Sequence, residues 1–170
     1  MAKGKNILDL KKKKGIYITK DGVPYSGDYY ILHDNGGMAE EGSMQAGKPD
    51  GLVIIRNEEG IPLVEAEYKK GIKDGVTTTY YNSGHIKAII HLKDEKRDGP
   101  LKMWYDDGGK KFEAYYQNDQ LHGTQVKYFE NGQKNMEVNY LNDIEHGKKT
   151  IWKENGDVLF EAEFVNGELV

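Results

Sequence analysis

The sequence predicts an all-β fold, a repeat array of stacked antiparallel β-hairpins that forms an elongated, twisted single sheet. The first observation is a glycine that recurs every 24 residues. It stands at Gly27, Gly51, Gly75, Gly99, Gly123 and Gly147. The second is another glycine nine positions after each. These are Gly36, Gly60, Gly84, Gly108, Gly132 and Gly156. Two glycine registers without a slip indicate one supersecondary unit copied six times.

Each unit is predicted to be a β-hairpin with a three-residue loop. In the fifth unit, residues 123–129 and 133–140 alternate with period two, which is typical of strands. Between them lies Glu130-Asn131-Gly132. A three-residue hairpin loop is a type I turn followed by a residue in the left-handed region. Glycine adopts that conformation without a Cβ penalty, which explains the second glycine of each unit.

A second turn joins each hairpin to the next, as at Lys70-Gly71 before Asp74-Gly75. The residue before the first glycine of each unit is polar. The column is Ser26, Asp50, Asp74, Asp98, His122 and His146. Such side chains bond nearby backbone groups, so we expect the column to hold the turn.

The apolar residues predict which face of each hairpin is the core. We number positions in each unit by their offset from its first glycine. A loop of odd length pairs odd positions with odd ones, so we expect offsets 5, 13, 15 and 17 to share the core face. Offset 5 holds Leu32, Arg56, Tyr80, Trp104, Tyr128 and Trp152. Offset 17 holds Met44, Tyr68, Leu92, Tyr116, Tyr140 and Phe164.

The opposite face is expected to carry a column of glutamates at offset 14 together with large apolar groups at offsets 4, 6 and 16. The glutamates are Glu41, Glu65, Glu113, Glu137 and Glu161. One interpretation is a solvated face. The other is a partner surface, because clustered exposed aromatic side chains mark interaction sites. On that interpretation the partner-binding residues are Tyr81, Met103, Tyr105, Tyr115, Phe129, Glu113 and Glu137.

The strings Tyr80-Tyr81-Asn82-Ser83-Gly84 and Tyr128-Phe129-Glu130-Asn131-Gly132, with Trp104-Tyr105, resemble the MORN repeat. The pattern is similar to the variant in YwqK-family antitoxins, over about residues 15–170. The resemblance implies a scaffold or recognition surface, and the antitoxin label implies direct binding of a toxin. One departure lies in the second turn, where Glu95, Asp119 and Asp143 replace the glycine kept at Gly47, Gly71 and Gly167.

Composition adds limits on the class of protein. Residues 1–14 are expected to be a basic, flexible leader, with the hairpin array over residues 15–170. The rest of the chain is acidic, which argues against nucleic acid as a partner. No apolar run approaches the ~20 residues of a membrane-spanning helix, and no secretory signal is recognisable, so we expect a cytoplasmic protein.

No catalytic, cofactor or metal site is expected. There is no cysteine, and the five histidines are His33, His85, His91, His122 and His146. His122 and His146 occupy the same column one repeat apart, about 10 Å, which is too far to share a metal ion. Paired glutamates such as Glu161 and Glu163 recur on an open sheet, without a pocket to desolvate them.

The sequence therefore predicts a non-catalytic scaffold that binds a protein partner, of the antitoxin or immunity type, for which a basic toxin or effector is one candidate. A glycan- or membrane-surface-binding repeat module is the alternative, because stacked rings also bind sugars and Lys11–Lys14 carry charge toward lipid. The oligomeric state is open between a monomer whose sheet coils on itself and a face-to-face dimer.

Overall fold

The computed structural model describes residues 4–170, which divide into two compact units, residues 4–84 and 85–170. Within these described residues the regular structure is β-strand, apart from one 3₁₀ turn, η1. The strands are mostly antiparallel. The prediction of an all-β array of hairpins is therefore confirmed.

The first unit is built from nine strands and η1. In chain order these are β1 (Lys5–Asn6), η1 (Ile7–Asp9), β2 (Lys11–Lys13), β3 (Ile16–Ile18), β4 (Gly27–Leu32), β5 (Met38–Gln45), β6 (Lys48–Pro49), β7 (Gly51–Arg56), β8 (Pro62–Lys69) and β9 (Ile72–Tyr80). Strands β4, β5, β7, β8 and β9 pair in that order, β6 pairs with β5, and β2 pairs with β3 in a small separate sheet.

The second unit contains the remaining hairpins. Its strands are β10 (Ile86–Lys93), β11 (Lys96–Trp104), β12 (Lys110–Gln117), β13 (Gln120–Leu121), β14 (Gly123–Tyr128), β15 (Lys134–Leu141), β16 (Ile144–Trp152), β17 (Val158–Val165) and β18 (Glu168–Leu169). Strands β10, β11, β12, β14, β15, β16 and β17 pair antiparallel in chain order, with β13 beside β12 and β18 beside β17.

The hairpin loops have the predicted geometry. In the fifth repeat the N–H of Phe129 donates to the carbonyl of Gln133 at 2.9 Å. The N–H of Gly132 donates to the carbonyl of Phe129 at 3.0 Å. Gly132 has a φ of 82°, and the glycines at the same position of the other units are also left-handed. A three-residue loop closed by a left-handed glycine is therefore confirmed.

The predicted assignment of faces is wrong at the first strand of five hairpins, those that begin with β4, β7, β11, β14 and β16. Met103 pairs with Phe112 while Trp104 pairs with Lys110, so Lys111 is the extra residue of a β-bulge. The same register shift occurs in the hairpins that begin with β4, β7, β14 and β16. One extra residue reverses the parity of the pairing, so offsets 2 and 4, rather than offset 5, share a face with offsets 13, 15 and 17.

The core is accordingly a stripe of offset 2 against offset 15. Its pairs are Val53 with Ala66, Leu101 with Ala114, and Gln125 with Val138. All six side chains are buried, Ala66 and Val138 to 1% exposure. Burial of a ladder of small and branched side chains on one face stabilises the array, at about 25 cal/mol per Å² of apolar surface.

The N-terminal segment also differs from the prediction of a flexible leader. Residues 1–3 of that segment lie outside the described residues. Lys5 and Asn6 pair in parallel with Tyr29 and Tyr30. Leu10, only 8% exposed, packs against Tyr29 and Met44. The apolar residues among the lysines, Ile7 and Leu10, therefore cover the core beside the first hairpin.

Three members of the polar column, Ser26, Asp50 and Asp98, hold the second turns, as predicted. Ser26 Oγ accepts the N–H of Ala46 at 3.0 Å, and Asp50 Oδ2 accepts that of Lys70 at 2.9 Å. Asp98 Oδ2 accepts the N–H of Asn118 at 3.2 Å. Each side chain bonds a backbone group 20 residues later, so it ties one repeat to the next.

The departure from glycine in the second turns has a structural explanation. Asp119 and Asp143 have φ values of 70° and 68°. Their carboxylates accept the N–H groups of Arg97 at 2.9 Å and Leu121 at 2.7 Å. At Asp119 and Asp143 a hydrogen bond to the side chain thus offsets the strain of the left-handed backbone.

Candidate functional site

The predicted partner-binding residues lie on two different faces. Met103 shares the face of Phe112, whereas Glu113 and Tyr115 point the other way, opposite Lys102 and Pro100. Glu137 lies opposite Val126 and Thr150 and belongs to the second face as well. Tyr81 lies in the first of the two compact units, and its side chain is half-buried. The seven predicted residues therefore do not form one surface.

Met103, Tyr105 and Phe129 are brought together, in an open hollow of about 420 Å³ that we call the apolar hollow. Its lining is Met103, Tyr105, Lys111, Phe112, Lys127, Tyr128, Phe129 and Asn135. The sequence prediction missed Phe112, which was assigned to the core, and the two lysines. They are found only through the bulge, which the structure shows and which places the residues after the loop beside offsets 4 and 6.

The two aromatic rings at the rim are held by rigid turns. Tyr105 and Phe129 occupy the same position in successive repeats, and the N–H of each closes its three-residue loop. The hydroxyl of Tyr105 also donates to the carbonyl of Tyr128 at 2.9 Å. The tight loops fix the backbone at both positions, and the repeat-to-repeat hydrogen bond fixes the Tyr105 ring, so this part of the hollow is formed before any ligand arrives.

Two lysines flank the apolar hollow. Lys111 Nζ lies 5.2 Å from the centroid of the Tyr105 ring, a cation–π distance. Lys127 is exposed and pairs with Phe112 and Met136 on the neighbouring strands. Among residues 4–170, neither ammonium group lies within ion-pair distance of a carboxylate.

The glutamate column, by contrast, is paired within the protein. Each glutamate contacts a cation or a tyrosine hydroxyl. The pairs are Glu41 with Arg56, Glu65 with Tyr80, Glu113 with Lys110 and Tyr128, Glu137 with Lys134, and Glu161 with Lys148. The glutamates can stand in one column because each has a partner in the same or the following repeat, which offsets the repulsion between the carboxylates.

The best-defined member of the column is Glu113. It accepts a hydrogen bond from the Tyr128 hydroxyl at 2.6 Å, and Lys110 Nζ lies 3.2 Å from its other oxygen. The hydrogen bond from Tyr128 holds the pKa of Glu113 below its ordinary value. Burial, reinforced by the bond to Glu113, raises the pKa of Tyr128 to about 12.

Replacing Tyr128 with phenylalanine is therefore expected to raise the pKa of Glu113 toward 4.5, its ordinary value. A lowered carboxylate pKa stabilises the fold above the unfolded pKa, and that stability is lost as pH falls through the folded pKa. The stability difference between wild type and Tyr128→Phe should thus shrink on acidification. Carboxyl carbon NMR titration measures the pKa, and Tyr115→Phe is the control, expected to leave Glu113 unchanged.

The histidines have structural contacts. His33 Nε2 lies 3.0 Å from the carbonyl of Arg56, and His91 Nδ1 lies 3.0 Å from that of Pro100. Over residues 4–170, no three histidine, aspartate or glutamate side chains converge as metal ligands. In the same range no helix has the length and apolar character to cross a bilayer.

Three consecutive stretches, residues 73–94, 97–118 and 121–142, each match the family model described as MORN repeat variant. The residues lining the apolar hollow lie within the last two. Repeats of this class are generally modules that interact with proteins or membranes and are not catalytic. No curated protein gives a significant match to the chain. The similarity to antitoxins therefore stays a prediction.

Proposed function

We propose that this protein is a non-catalytic scaffold that binds a protein partner through the apolar hollow and neutralises that partner, as an antitoxin or immunity protein does. The observation that carries the proposal is the hollow itself. The rings of Tyr105, Phe112 and Phe129, together with Met103, come from successive repeats and surround about 420 Å³ of open space. Exposed, preformed apolar clusters of this kind hold the buried anchors of protein interfaces.

The neutraliser role rests on the sequence resemblance described above. A non-catalytic protein acts on a partner by occupying its surface, and a repeat sheet offers a rigid, extended surface for that purpose. The placement of the hollow on two stacked hairpins supports such a role, since neither ring lies on a long loop that must be ordered on binding.

The test co-expresses this chain with the product of the neighbouring reading frame of its source genome. We expect that product to arrest growth alone, and wild type to relieve the arrest. Phe129→Ala should weaken binding by about 2 kcal/mol, roughly thirtyfold, because truncation of a buried aromatic anchor has effects of this size. Relief of growth arrest should weaken accordingly.

The matched control is Tyr115→Ala, which removes an aromatic ring that is 47% exposed on the other face. It should bind like wild type, and circular dichroism should show both variants folded. Equal binding by Phe129→Ala and wild type would remove the apolar hollow from the interface. A neighbouring product without effect on growth would contradict the neutraliser role.

A further inference from the structure

We infer that the partner segment entering the apolar hollow is acidic: an aromatic or long aliphatic anchor with aspartate or glutamate beside it, bound by Lys111 and Lys127. This inference rests on the proposed function and specifies the chemistry of the partner. It reverses the sequence-based expectation of a basic partner, which depended on placing the glutamate column and the rings on one face.

The carboxylates of that column are already engaged. Glu113 bonds Tyr128 and Lys110, and Glu137 contacts Lys134. They also lie on the face away from the apolar hollow, as the pairing of Met103 with Phe112 and of Lys102 with Glu113 shows. A basic partner seated on the rings would therefore not meet these glutamates.

The lysines at the hollow differ from four lysines of β12, β15 and β16 that are engaged within the protein. Lys110, Lys134, Lys148 and Lys149 each contact a glutamate. Lys111 and Lys127 line the hollow, and in the described part of the chain they have no carboxylate partner. An acidic residue of a ligand would complete two ion pairs at the edge of an apolar contact, where partial loss of water strengthens them.

The charged groups around the Tyr105 and Phe129 rings have opposite signs on the two sides of the rings. Beyond Tyr105 and Phe129, toward the loops, a separate polar hollow is lined by Glu130, Asn131 and Glu154. The cations thus lie on the strand side of the rings and the carboxylates on the loop side. The acidic residue of the partner is accordingly expected on the strand side of its anchor, beside the two lysines.

The experiment selects peptides from a random displayed library on the purified full chain, then measures the Kd of the enriched peptide by fluorescence anisotropy. We expect an enriched motif with an aromatic or aliphatic anchor and adjacent acidic residues. The double variant Lys111→Glu/Lys127→Glu should weaken its binding by about tenfold or more, because two attractive contacts become repulsive.

The matched control is Lys69→Glu/Lys93→Glu, which changes the net charge equally at two exposed lysines that do not line the hollow. Its Kd should equal that of wild type. The decisive comparison is between the two double variants at one ionic strength, since a general effect of net charge would weaken both alike.

Three results would overturn the inference, and they have different meanings. A basic or uncharged enriched motif that is lost with Phe129→Ala leaves the proposed function intact and refutes the acidic partner. A library without any binder that depends on Phe129 contradicts both proposals. Sedimentation with phosphatidylserine vesicles that requires Lys111 and Lys127, without any peptide enriched, would assign the surface to a membrane instead.

Discussion

Replacing Tyr29 with alanine is expected to lower the free energy of unfolding by about 3–5 kcal/mol, the range for truncating a buried aromatic side chain. Tyr29 is 2% exposed, and its ring packs against Leu10 and Met44. The loss of the ring would leave a cavity between the first hairpin and the N-terminal segment. Urea denaturation followed by circular dichroism measures the change.

Two substitutions separate the parts of this effect. Tyr29→Phe keeps the ring and removes the hydroxyl that donates to Glu40 Oε1 at 2.7 Å. It should cost about 1–2 kcal/mol, since a hydrogen bond to a charged group is lost. A tyrosine hydroxyl is protonated at neutral pH, and burial raises the pKa of Tyr29 further above its ordinary value. Tyr30→Ala, at the next position of β4, is the comparison in a less buried environment. An equal loss from Tyr30→Ala would refute a specific role for Tyr29.

The second large effect is expected for Gly47→Ala, at about 2–5 kcal/mol. Gly47 is buried with a φ of 78°, where an L side chain costs about 1–2 kcal/mol. An added Cβ would also overlap the carbonyl oxygen of Tyr17. That backbone is fixed, because the N–H of Tyr17 donates to Gly47 at 2.8 Å, so the overlap adds the cost of overpacking.

Gly167→Ala provides the matched control for this prediction. Gly167 occupies the same turn position with a φ of 85°, but its Cβ would meet the Ile144 side chain at 3.4 Å, an ordinary contact. Only the conformational term of about 1–2 kcal/mol should remain. Thermal and urea unfolding of both variants measure the difference. Equal losses would show that the contact with Tyr17 relaxes.

The repeat, its loops and its turns were predictable because they depend on local chemistry. A left-handed glycine such as Gly132 and a capping side chain such as Asp50 act within a few residues or one repeat, and the period of 24 makes them visible. The all-β fold follows from these features together with the alternation of apolar residues.

The composition of the candidate site was less predictable, because it depends on the parity of strand pairing. The residue left unpaired at the bulge, Lys111, has no signature in the sequence, yet it decides that Met103 lies beside Phe112 rather than beside Glu113. The burial of Leu10 could not be predicted from the sequence for a different reason. A short apolar patch among lysines, Ile7-Leu8 and Leu10, resembles a solvated tail until the contact of Leu10 with Tyr29 is known.

The pairing of Glu41, Glu65 and Glu113 with the following repeat has a consequence for how such arrays diverge. Glu113 accepts a hydrogen bond from Tyr128, and Glu41 forms an ion pair with Arg56. The residue that fits at offset 5 of one repeat therefore depends on the residue at offset 14 of the repeat before it. Ile89 takes the place of the glutamate in the third unit. Duplicating or deleting a single copy would bring unmatched side chains together. Adjacent copies are therefore constrained to change in concert, and a consensus averaged over all six would erase the matches.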